Sequence, residues 1–416
     1  MAVFIPFKGV RYNTGDPDLS KYVCPPFDVI SAEQREKLIG GNPGNIVEVE
    51  LPAGGADRYS KAAANLERMM SSGLLKADDT ECFYVIRTLF SIDGIPAAIE
   101  SVTGRLKLEP FGGAVLPHEN TRSADKSDRL ELMKATAANI SPIYILADDP
   151  ENILRSIIRE TTEKNPAATA SYEGEVHSVY PVSGASATEI TGFFSGRPVF
   201  IADGHHRYET GLAYKEYRES LGEVVSDAHP AGYIMASCVA AQHPGLVIMP
   251  THRVVLRRGG FNSGALLSAC GDEFDVQRVK RDRAKRELDD CYKSGDIAFL
   301  YYDGEYALIR KTLETGLPGA DDPLSRLDLS ALHSSILTKH LGIGETDMAK
   351  GKGLFFTRDS GEAAAMVDSG KADCAFIVNP TRVTDIMAVA LAGERMPQKS
   401  TYFYPKMLTG TVLNKM

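Results

Sequence analysis

Apolar and polar positions repeat along the chain with two periods, which predict that it contains both strands and helices. Residues 82–87 and 97–102 are short apolar runs, and Asp93-Gly94 lies between them. This arrangement is typical of a β-hairpin with a tight turn. Residues 58–72 place their apolar side chains on one helical face, and Gly73 is a usual end for such a helix.

The same two periods continue to the C-terminal end. Residues 199–202 predict a short buried strand, and residues 208–221 predict the helix that follows it. Residues 296–309 predict a second hairpin, and residues 353–392 predict a βαβα unit. We therefore expect a mixed α/β protein, and divide it into three segments: an N-terminal α/β unit at 1–110, a core at 111–255 and a C-terminal α/β unit at 256–416.

Composition narrows the classes of partner. The chain has 416 residues, which suits two or three packed units, and a net charge of -9, which argues against binding nucleic acid through its backbone. No run of 18 apolar residues predicts a membrane span, and no apolar signal segment opens the chain. Six scattered cysteines without a CxxC pair suit a reducing cytosol. We predict a cytoplasmic protein with a small-molecule substrate and no nucleic-acid or membrane partner; the oligomeric state stays open, a homodimer included.

The strongest chemical signal is Asp203-Gly204-His205-His206-Arg207, which lies between the predicted strand and helix. Backbone N–H groups and the positive end of the helix dipole meet at such a junction, and Arg207 matches phosphate in a two-pronged way. The segment therefore predicts an anion site at a helix N-terminus. Two other interpretations stay open: an Asp cap followed by surface histidines, and a zinc site that uses both histidines.

Three further segments carry groups that suit catalysis or substrate binding. His118 and Glu119 follow Pro117 on a predicted loop, where a glutamate beside a histidine could act as a general base. Residues 398–401 offer a lysine and two hydroxyls in irregular sequence, and His252-Arg253 follows Pro250. Taken by spacing alone, each is also compatible with an ordinary surface loop.

Four segments together resemble the prokaryotic family called domain of unknown function 1015. The likeness spans nearly the whole chain. The segments are Cys24-Pro25-Pro26-Phe27-Asp28-Val29-Ile30-Ser31, His118-Glu119-Asn120-Thr121, Ala202-Asp203-Gly204-His205-His206-Arg207-Tyr208-Glu209 and residues 396–406.

A more distant resemblance is to the ParB/sulfiredoxin superfamily, whose free-serine kinases carry an Asp-Gly-His-His-Arg segment and an upstream Pro-His-Glu segment. Pro117-His118-Glu119, the Pro142-Ile143 strand and Asp203–Arg207 follow the same order. The resemblance implies a ParB/sulfiredoxin-like core at 111–255 with an insertion near 147–198. The reactive cysteine of sulfiredoxins is replaced by His205, which argues against cysteine repair.

These kinases imply a role for each matching residue. Glu119 would take the proton from a substrate hydroxyl, Asp203 would hold Mg²⁺, and His206 would join them in catalysis. Phosphate would be held by Gly204, His205, His206, Arg207 and Lys399. Substrate contacts are expected at Asp28, His118, Thr121, His252, Arg253, Gln398, Ser400 and Thr401.

The predicted function is a small-molecule kinase that transfers a phosphoryl group from ATP, ADP or pyrophosphate to a hydroxyl, with free L-serine as the favoured acceptor. Two other classes stay open. A ParB-type nucleotide-binding regulatory module would hydrolyse nucleotide weakly without any acceptor. A metal-dependent hydrolase would use His118, Glu119, His205 and His206 as ligands and would hold stoichiometric metal.

Overall fold

A computed structural model describes residues 1–119, 123–313, 322–344, 347–348 and 351–416. In the helix that begins at Ser123, side chains are described from residue 127 onward. Internal contacts divide the chain into two units. Unit 1 contains Met1–Pro117, Thr121–Val247 and Pro405–Met416, and unit 2 contains His118–Asn120 and Ile248–Tyr404. Each unit combines sheet and helices, so the predicted mixed α/β class is confirmed.

Unit 1 is built on one nine-stranded sheet with the order β6-β11-β8-β12-β5-β4-β10-β9, and β1 also pairs with β5. The pairs β6–β11 and β8–β12 are parallel, and the other pairs are antiparallel. The strands are β1 (Phe4–Ile5), β4 (Phe83–Ile92), β5 (Ile95–Lys107), β6 (Val115–Leu116), β8 (Ile143–Ala147), β9 (Ala168–Tyr172), β10 (Glu175–Val182), β11 (Val199–Asp203) and β12 (Tyr233–Ala240).

The predicted first hairpin is confirmed as β4 and β5. Its turn residues Asp93 and Gly94 have φ of 51° and 78°. A two-residue turn with both residues in the left-handed region matches the twist of the strands that it joins. The Asp-Gly pair is therefore what sets the register of Ile92 opposite Ile95.

Two short strand pairs complete unit 1: β2 (Val10–Tyr12) with β3 (Leu75–Ala77), and β7 (Ala138–Asn139) with β21 (Asn414–Lys415). Its helices are α1 (Ala32–Gly41), α2 (Val47–Glu50), α3 (Arg58–Ser71), α4 (Ser123–Thr136), α5 (Ile153–Thr162), α6 (Ala185–Phe194), α7 (His205–Ser220) and the 3₁₀ turns Phe27–Val29 and Pro230–Gly232. Ser31 and Gln34 form a capping box at the start of α1.

The predicted insertion near 147–198 forms a large part of this sheet unit. It supplies β9 and β10 at one sheet edge, and β10 pairs with β4. Helices α5 and α6 pack against each other, and their buried faces (Leu154, Ile158, Ile190 and Phe194) join the main apolar core. The segment is therefore an integral layer of unit 1.

Unit 2 contains a six-stranded antiparallel sheet with the order β15-β17-β16-β19-β14-β18. Its strands are β14 (His252–Leu256), β15 (Asp275–Val279), β16 (Ile297–Tyr302), β17 (Tyr306–Lys311), β18 (Leu354–Thr357) and β19 (Ala372–Val378), and β20 (Phe403–Tyr404) lies outside this sheet. Strand β13 (Val247–Ile248) spans the sequence boundary between the units. The second predicted hairpin, β16–β17, is confirmed.

The helices of unit 2 contribute to apolar clusters on the sheet. They are α8 (Ser263–Cys270), α9 (Arg281–Ser294), α10 (Asp328–Ala331), a π-helix (Leu332–Thr338), α11 (Ser360–Asp368), α12 (Val383–Leu391) and the 3₁₀ turn Pro323–Arg326. The basic run at the start of α9 lies on a solvated helix face, because the buried positions of this helix are Ala284, Leu288 and Cys291.

The three predicted segments stay a prediction about domain organisation. In the structure, the strands on both sides of residue 110 pair in one sheet, since β5 pairs with β12. All six cysteines are free and buried. Among the described residues, no helix has the length and apolar character to cross a membrane.

Candidate functional site

Gly204 joins strand β11 to helix α7 in unit 1. Its φ of 88° lies in the left-handed region, and its carbonyl accepts the first hydrogen bond of the helix, from the amide of Tyr208 (3.0 Å). The helix therefore begins at His205, three residues before the predicted start. Residues 205–207 form the first turn, where amide N–H groups point out of the helix N-terminus toward any bound anion.

Two cations share the carboxylate at the end of β11. Oδ2 of Asp203 lies 3.1 Å from Nζ of Lys406 and 3.5 Å from a guanidinium nitrogen of Arg207. The other terminal nitrogen of Arg207 donates to the carbonyl of Pro142. Burial alone would raise the pKa of Asp203, but the charges of Lys406 and Arg207 outweigh it and hold that pKa well below its ordinary value. Asp203 is therefore ionised and keeps both cations in place.

The histidines of the segment differ in exposure. His205 is buried, and its charge when protonated would further lower the pKa of Asp203. His206 is half-buried, and its carbonyl accepts from the hydroxyl of Thr210 one turn later (2.8 Å). Both positions belong to the first turn of α7, so the predicted histidine and arginine donors are gathered at one helix end.

A buried carboxylate, Glu50, interacts electrostatically with Arg207. The carboxylate of Glu50 is buried and accepts from the hydroxyl of Ser141 (2.8 Å). Burial raises the pKa of Glu50, while the charges of Arg129 and Arg207 act in the opposite direction and that of Asp28 adds to the rise. The predicted substrate residue Asp28 therefore belongs to the same electrostatic cluster.

Arg129 connects the Pro-Pro-Phe-Asp segment to Glu50. Its guanidinium carbon lies 4.2 Å from the ring centroid of Phe27, a cation–π contact, and one nitrogen donates to the carbonyl of Glu50 (2.7 Å). It also pairs with Asp128. The two preceding prolines prevent a helix, so Phe27 and Asp28 form a short 3₁₀ turn beside Arg129.

In unit 2, the predicted general base is tied to the irregular segment 396–401. Oε1 of Glu119 accepts from the backbone amide of Lys399 (3.0 Å). The carbonyl of His118 accepts from the amide of Met396 (2.7 Å), and Nε2 of the buried His118 lies 3.1 Å from the hydroxyl of Thr401. Residues 118–119 and residues 396–401, which only the family resemblance had connected, are thus in direct contact.

The other predicted residues of this segment have protein partners. The hydroxyl of Ser400 donates to the carbonyl of Pro397, and the Nζ of Lys399 lies 5.7 Å from the ring centroid of Phe356. The carbonyl of Gln398 accepts from Arg253 (3.3 Å). Their roles toward phosphate or substrate stay predictions.

His252 and Arg253 lie on β14 and are buried. Nδ1 of His252 accepts from the amide of Val378 (3.2 Å), and burial lowers the pKa of His252 to about 4. Both side chains face protein, and their predicted substrate contacts stay predictions. Thr121 lies outside the described residues.

Magnesium was predicted at Asp203, and this role stays a prediction. The carboxylate already pairs with two cationic side chains. In the described ranges, no cluster of three or more His, Cys, Asp or Glu side chains is arranged to hold a metal ion. The contacts therefore favour Asp203 as an anchor for Lys406 and Arg207.

Lys406 was not among the residues predicted to bind phosphate. It lies seven positions beyond Lys399 in the same aromatic segment, and its partner Asp203 is two hundred residues away in sequence. The signal that could have found it is electrostatic, since an aspartate at a helix N-terminus opposes anion binding unless nearby cations compensate its charge.

Comparisons with known proteins give a family and distant structural likenesses. The family model described as "Protein of unknown function (DUF1015)" matches residues 4–330. The search of curated proteins found no match. The matched range includes residues 203–207 and Glu119, whereas residues 396–406 follow it.

Three solved structures show the range of likeness. A conserved hypothetical protein from Pyrococcus furiosus is 16% identical, with 71% of this chain and 89% of that chain covered and a TM-score of 0.34. A free serine kinase in complex with AMP is 14% identical, with coverage of 70% and 83% and a TM-score of 0.35. SbnI from Staphylococcus aureus is 12% identical, with coverage of 71% and 82% and a TM-score of 0.32. Likenesses at this level do not determine a function.

Proposed function

The chain belongs to the family described as "Protein of unknown function (DUF1015)", and from the chemistry of its own residues we propose that it is a phosphotransferase with an alcohol acceptor. The donor is ATP, ADP or pyrophosphate, and free L-serine is the favoured acceptor. One observation carries the proposal: Arg207 and Lys406 converge on Asp203 at the N-terminus of the 16-residue helix α7.

This arrangement supports phosphate binding for an electrostatic reason. Asp203 carries one negative charge and its two partners carry two positive charges, so the group has a net positive charge beside the helix N-terminus. The exposed fractions of the Arg207 and Lys406 side chains are 11% and 13%, so water screens these charges weakly. A phosphate that approaches this end meets fixed donors, which is what phosphoryl transfer mainly requires.

We propose the following roles for the residues of this site. Arg207, Lys406 and the first-turn amides bind the transferring phosphates, and Asp203 positions the two cations. Glu119 accepts the proton of the acceptor hydroxyl, a step that contributes on the order of 10²–10⁴ in rate. His206 at the second helical position is proposed to donate to a phosphate oxygen.

The first test separates donor binding from transfer. We expect Arg207→Ala to weaken pyrophosphate binding about tenfold or more by calorimetry, since a charge-assisted two-pronged contact is lost. Arg218→Ala is the matched control, because Arg218 lies at the other end of α7 and pairs with Glu223. Equal affinities for Arg207→Ala and wild type would contradict the phosphate site.

The second test addresses the reaction. Serine and other hydroxylated metabolites are incubated with ATP, ADP or pyrophosphate, and phosphomonoester products are followed by phosphorus NMR. We expect Glu119→Gln to abolish product formation and to leave donor affinity nearly unchanged. Donor hydrolysis that is independent of every acceptor would instead favour the nucleotide-binding regulatory module.

A further inference from the structure

Arg253 is a fully buried cation whose hydrogen-bond acceptors, in the described part of the chain, are all neutral. Its Nε donates to Nε2 of His333 (3.2 Å), and one terminal nitrogen donates to the carbonyls of Gln398 (3.3 Å) and Lys399 (3.1 Å). The other terminal nitrogen donates to the carbonyl of Thr251. Burial lowers the pKa of Arg253 to about 9. A guanidinium in such a place costs desolvation free energy, so its retention calls for a compensating role.

The two carbonyls on Arg253 belong to a strained turn. Lys399 has a φ of 58°, a left-handed conformation that residues with a Cβ seldom adopt. Its carbonyl accepts from Arg253, and its amide donates to Oε1 of Glu119 (3.0 Å). One residue thus connects the buried cation to the carboxylate. The negative charge of Glu119 also acts to raise the pKa of Arg253, against the effect of burial.

His333 fixes the other side of the guanidinium. It lies in the π-helix Leu332–Thr338, a rare conformation that is often associated with functional sites. Burial and the charge of Arg253 lower the pKa of His333 to about 3, so the ring is neutral and its Nε2 accepts the Arg253 hydrogen. Because Nε, Nη1 and Nη2 all donate hydrogen bonds, the guanidinium plane has one orientation.

We propose that Arg253 is a positioning residue for Glu119: it holds the left-handed turn at Lys399 through two carbonyls, and that turn presents an amide to the carboxylate. This inference rests on the proposed function in taking Glu119 as the general base. It assigns Arg253 a role through Glu119, in place of the direct substrate contact that the sequence predicted.

A purely structural role for Arg253 makes a different prediction. If the guanidinium only stabilised the fold of unit 2, its replacement would lower stability and leave the contact between Lys399 and Glu119 as it is. The amide of Lys399 therefore distinguishes the two roles, because its proton chemical shift responds to the charge on the carboxylate that it binds.

The test uses the full chain labelled with ¹⁵N-lysine, and the Lys399 amide signal is identified as the one lost in Lys399→Arg. In wild type, we expect this signal to move as the pH falls from 7 to 3.5, and Glu119→Gln to abolish the movement. In Arg253→Gln, we expect the movement to fall by about half or more. A movement equal to that of wild type would overturn the proposal.

Two further variants keep the test decisive if Arg253→Gln does not fold. His333→Leu keeps the guanidinium but removes one of its acceptors. Arg253→Lys keeps the positive charge but removes the two-pronged guanidinium. In both variants, the movement of the Lys399 signal with pH should lie between those of wild type and Glu119→Gln. Arg257→Gln is the matched control, because Arg257 is exposed just beyond β14 and donates to the carbonyl of Gly370. In Arg257→Gln, the Lys399 signal should move with pH as it does in wild type. A wild-type movement in both His333→Leu and Arg253→Lys would also overturn the proposal.

Turnover provides the functional measurement. If Glu119 is the base, Arg253→Gln should lower kcat about tenfold or more with little change in the KM of the donor, and Arg253→Lys should restore part of it. An unchanged kcat in Arg253→Gln, or a rise in the donor KM alone, would contradict the positioning role. Wild type without any transfer activity would refute the proposed function, and the amide measurement would then decide the positioning role by itself.

Discussion

Gly204 matters because a backbone conformation and a side-chain position depend on it together. Its φ of 88° costs a residue with a Cβ roughly 1–2 kcal/mol. A Cβ at this position would also lie 3.0 Å from two guanidinium nitrogens of Arg207. The absence of a side chain thus allows the helix to begin here and allows Arg207 to fold back toward Asp203.

We expect Gly204→Ala to lower the free energy of unfolding by roughly 1–2 kcal/mol and to weaken pyrophosphate binding about tenfold, because Arg207 must shift. Gly222→Ala is the control. Gly222 follows the same helix with the same φ of 88°, and a Cβ there would meet nothing within 4 Å. Urea denaturation and calorimetry should show a similar stability loss in both variants and an affinity loss in Gly204→Ala alone.

At the scale of single residues, sequence reasoning found what lies close together in the chain. Asp203, Gly204 and Arg207 are neighbours, so their shared chemistry was visible as a pattern. Lys406 and Glu50 were not assigned, because they reach the cluster through the sheet topology and no local spacing encodes that. Arg253 was assigned to substrate contact, since its complete burial depends on a strand order that the sequence does not display.

At the scale of elements, the end of helix α4 contains a conflict between residue and backbone. Ala137 follows the helix with a φ of 44°, and its amide donates to the carbonyl of Met133 (2.9 Å). Glycine is the usual residue at this position, because it adopts the left-handed region without a Cβ penalty. The helix is therefore closed by a residue that strains its C-terminus.

We expect Ala137→Gly to stabilise the protein by about 0.5–1 kcal/mol. Ala135→Gly is the control, and it should change the free energy of unfolding in the opposite direction. Ala135 is exposed inside the same helix, so glycine there should destabilise the protein by about 1 kcal/mol. Both values follow from urea denaturation monitored by circular dichroism. Destabilisation by Ala137→Gly would mean that the φ of residue 137 is not positive.

Elements were predicted best where turn chemistry and periodicity agree. Both hairpins carry Asp-Gly between apolar runs, and both are present at the predicted places. The start of α7 was placed three residues late, because two histidines and an arginine do not look like a helical first turn. The decisive feature was Gly204, which ends the strand and accepts from Tyr208 in a single step.

At the scale of the whole molecule, the C-terminal residues are part of the core of unit 1. Leu413 is buried, and it exchanges two backbone hydrogen bonds of 2.9 Å with Val10. We expect Leu413→Ala to lower the free energy of unfolding by about 2–5 kcal/mol. Leu391→Ala should change it by about 0.5 kcal/mol or less, since the exposed fraction of Leu391 is 62%. Similar effects of the two variants in urea denaturation would contradict this role.

Overall architecture was the least predictable level. The class of fold followed from the mixture of periods, and the segment near 147–198 was interpreted as an insertion because of the spacing between the strands at Ile145 and Val199. That the strands of this segment continue the main sheet beyond β4 could not be read from the spacing. Which strand neighbours which depends on contacts between distant residues, and a single sequence carries no direct record of them.

The pairing of Val10 with Leu413 also has a consequence for synthesis. A ribosome makes residues 248–404, which form most of unit 2, before it makes residues 405–416, which belong to unit 1. Val10 therefore cannot pair with Leu413 until residues 248–404 have been made, and the flank of β2 that receives Leu413 stays exposed until then. We expect chaperones that shield such flanks to bind the growing polypeptide early and to leave it only after residue 413 has emerged.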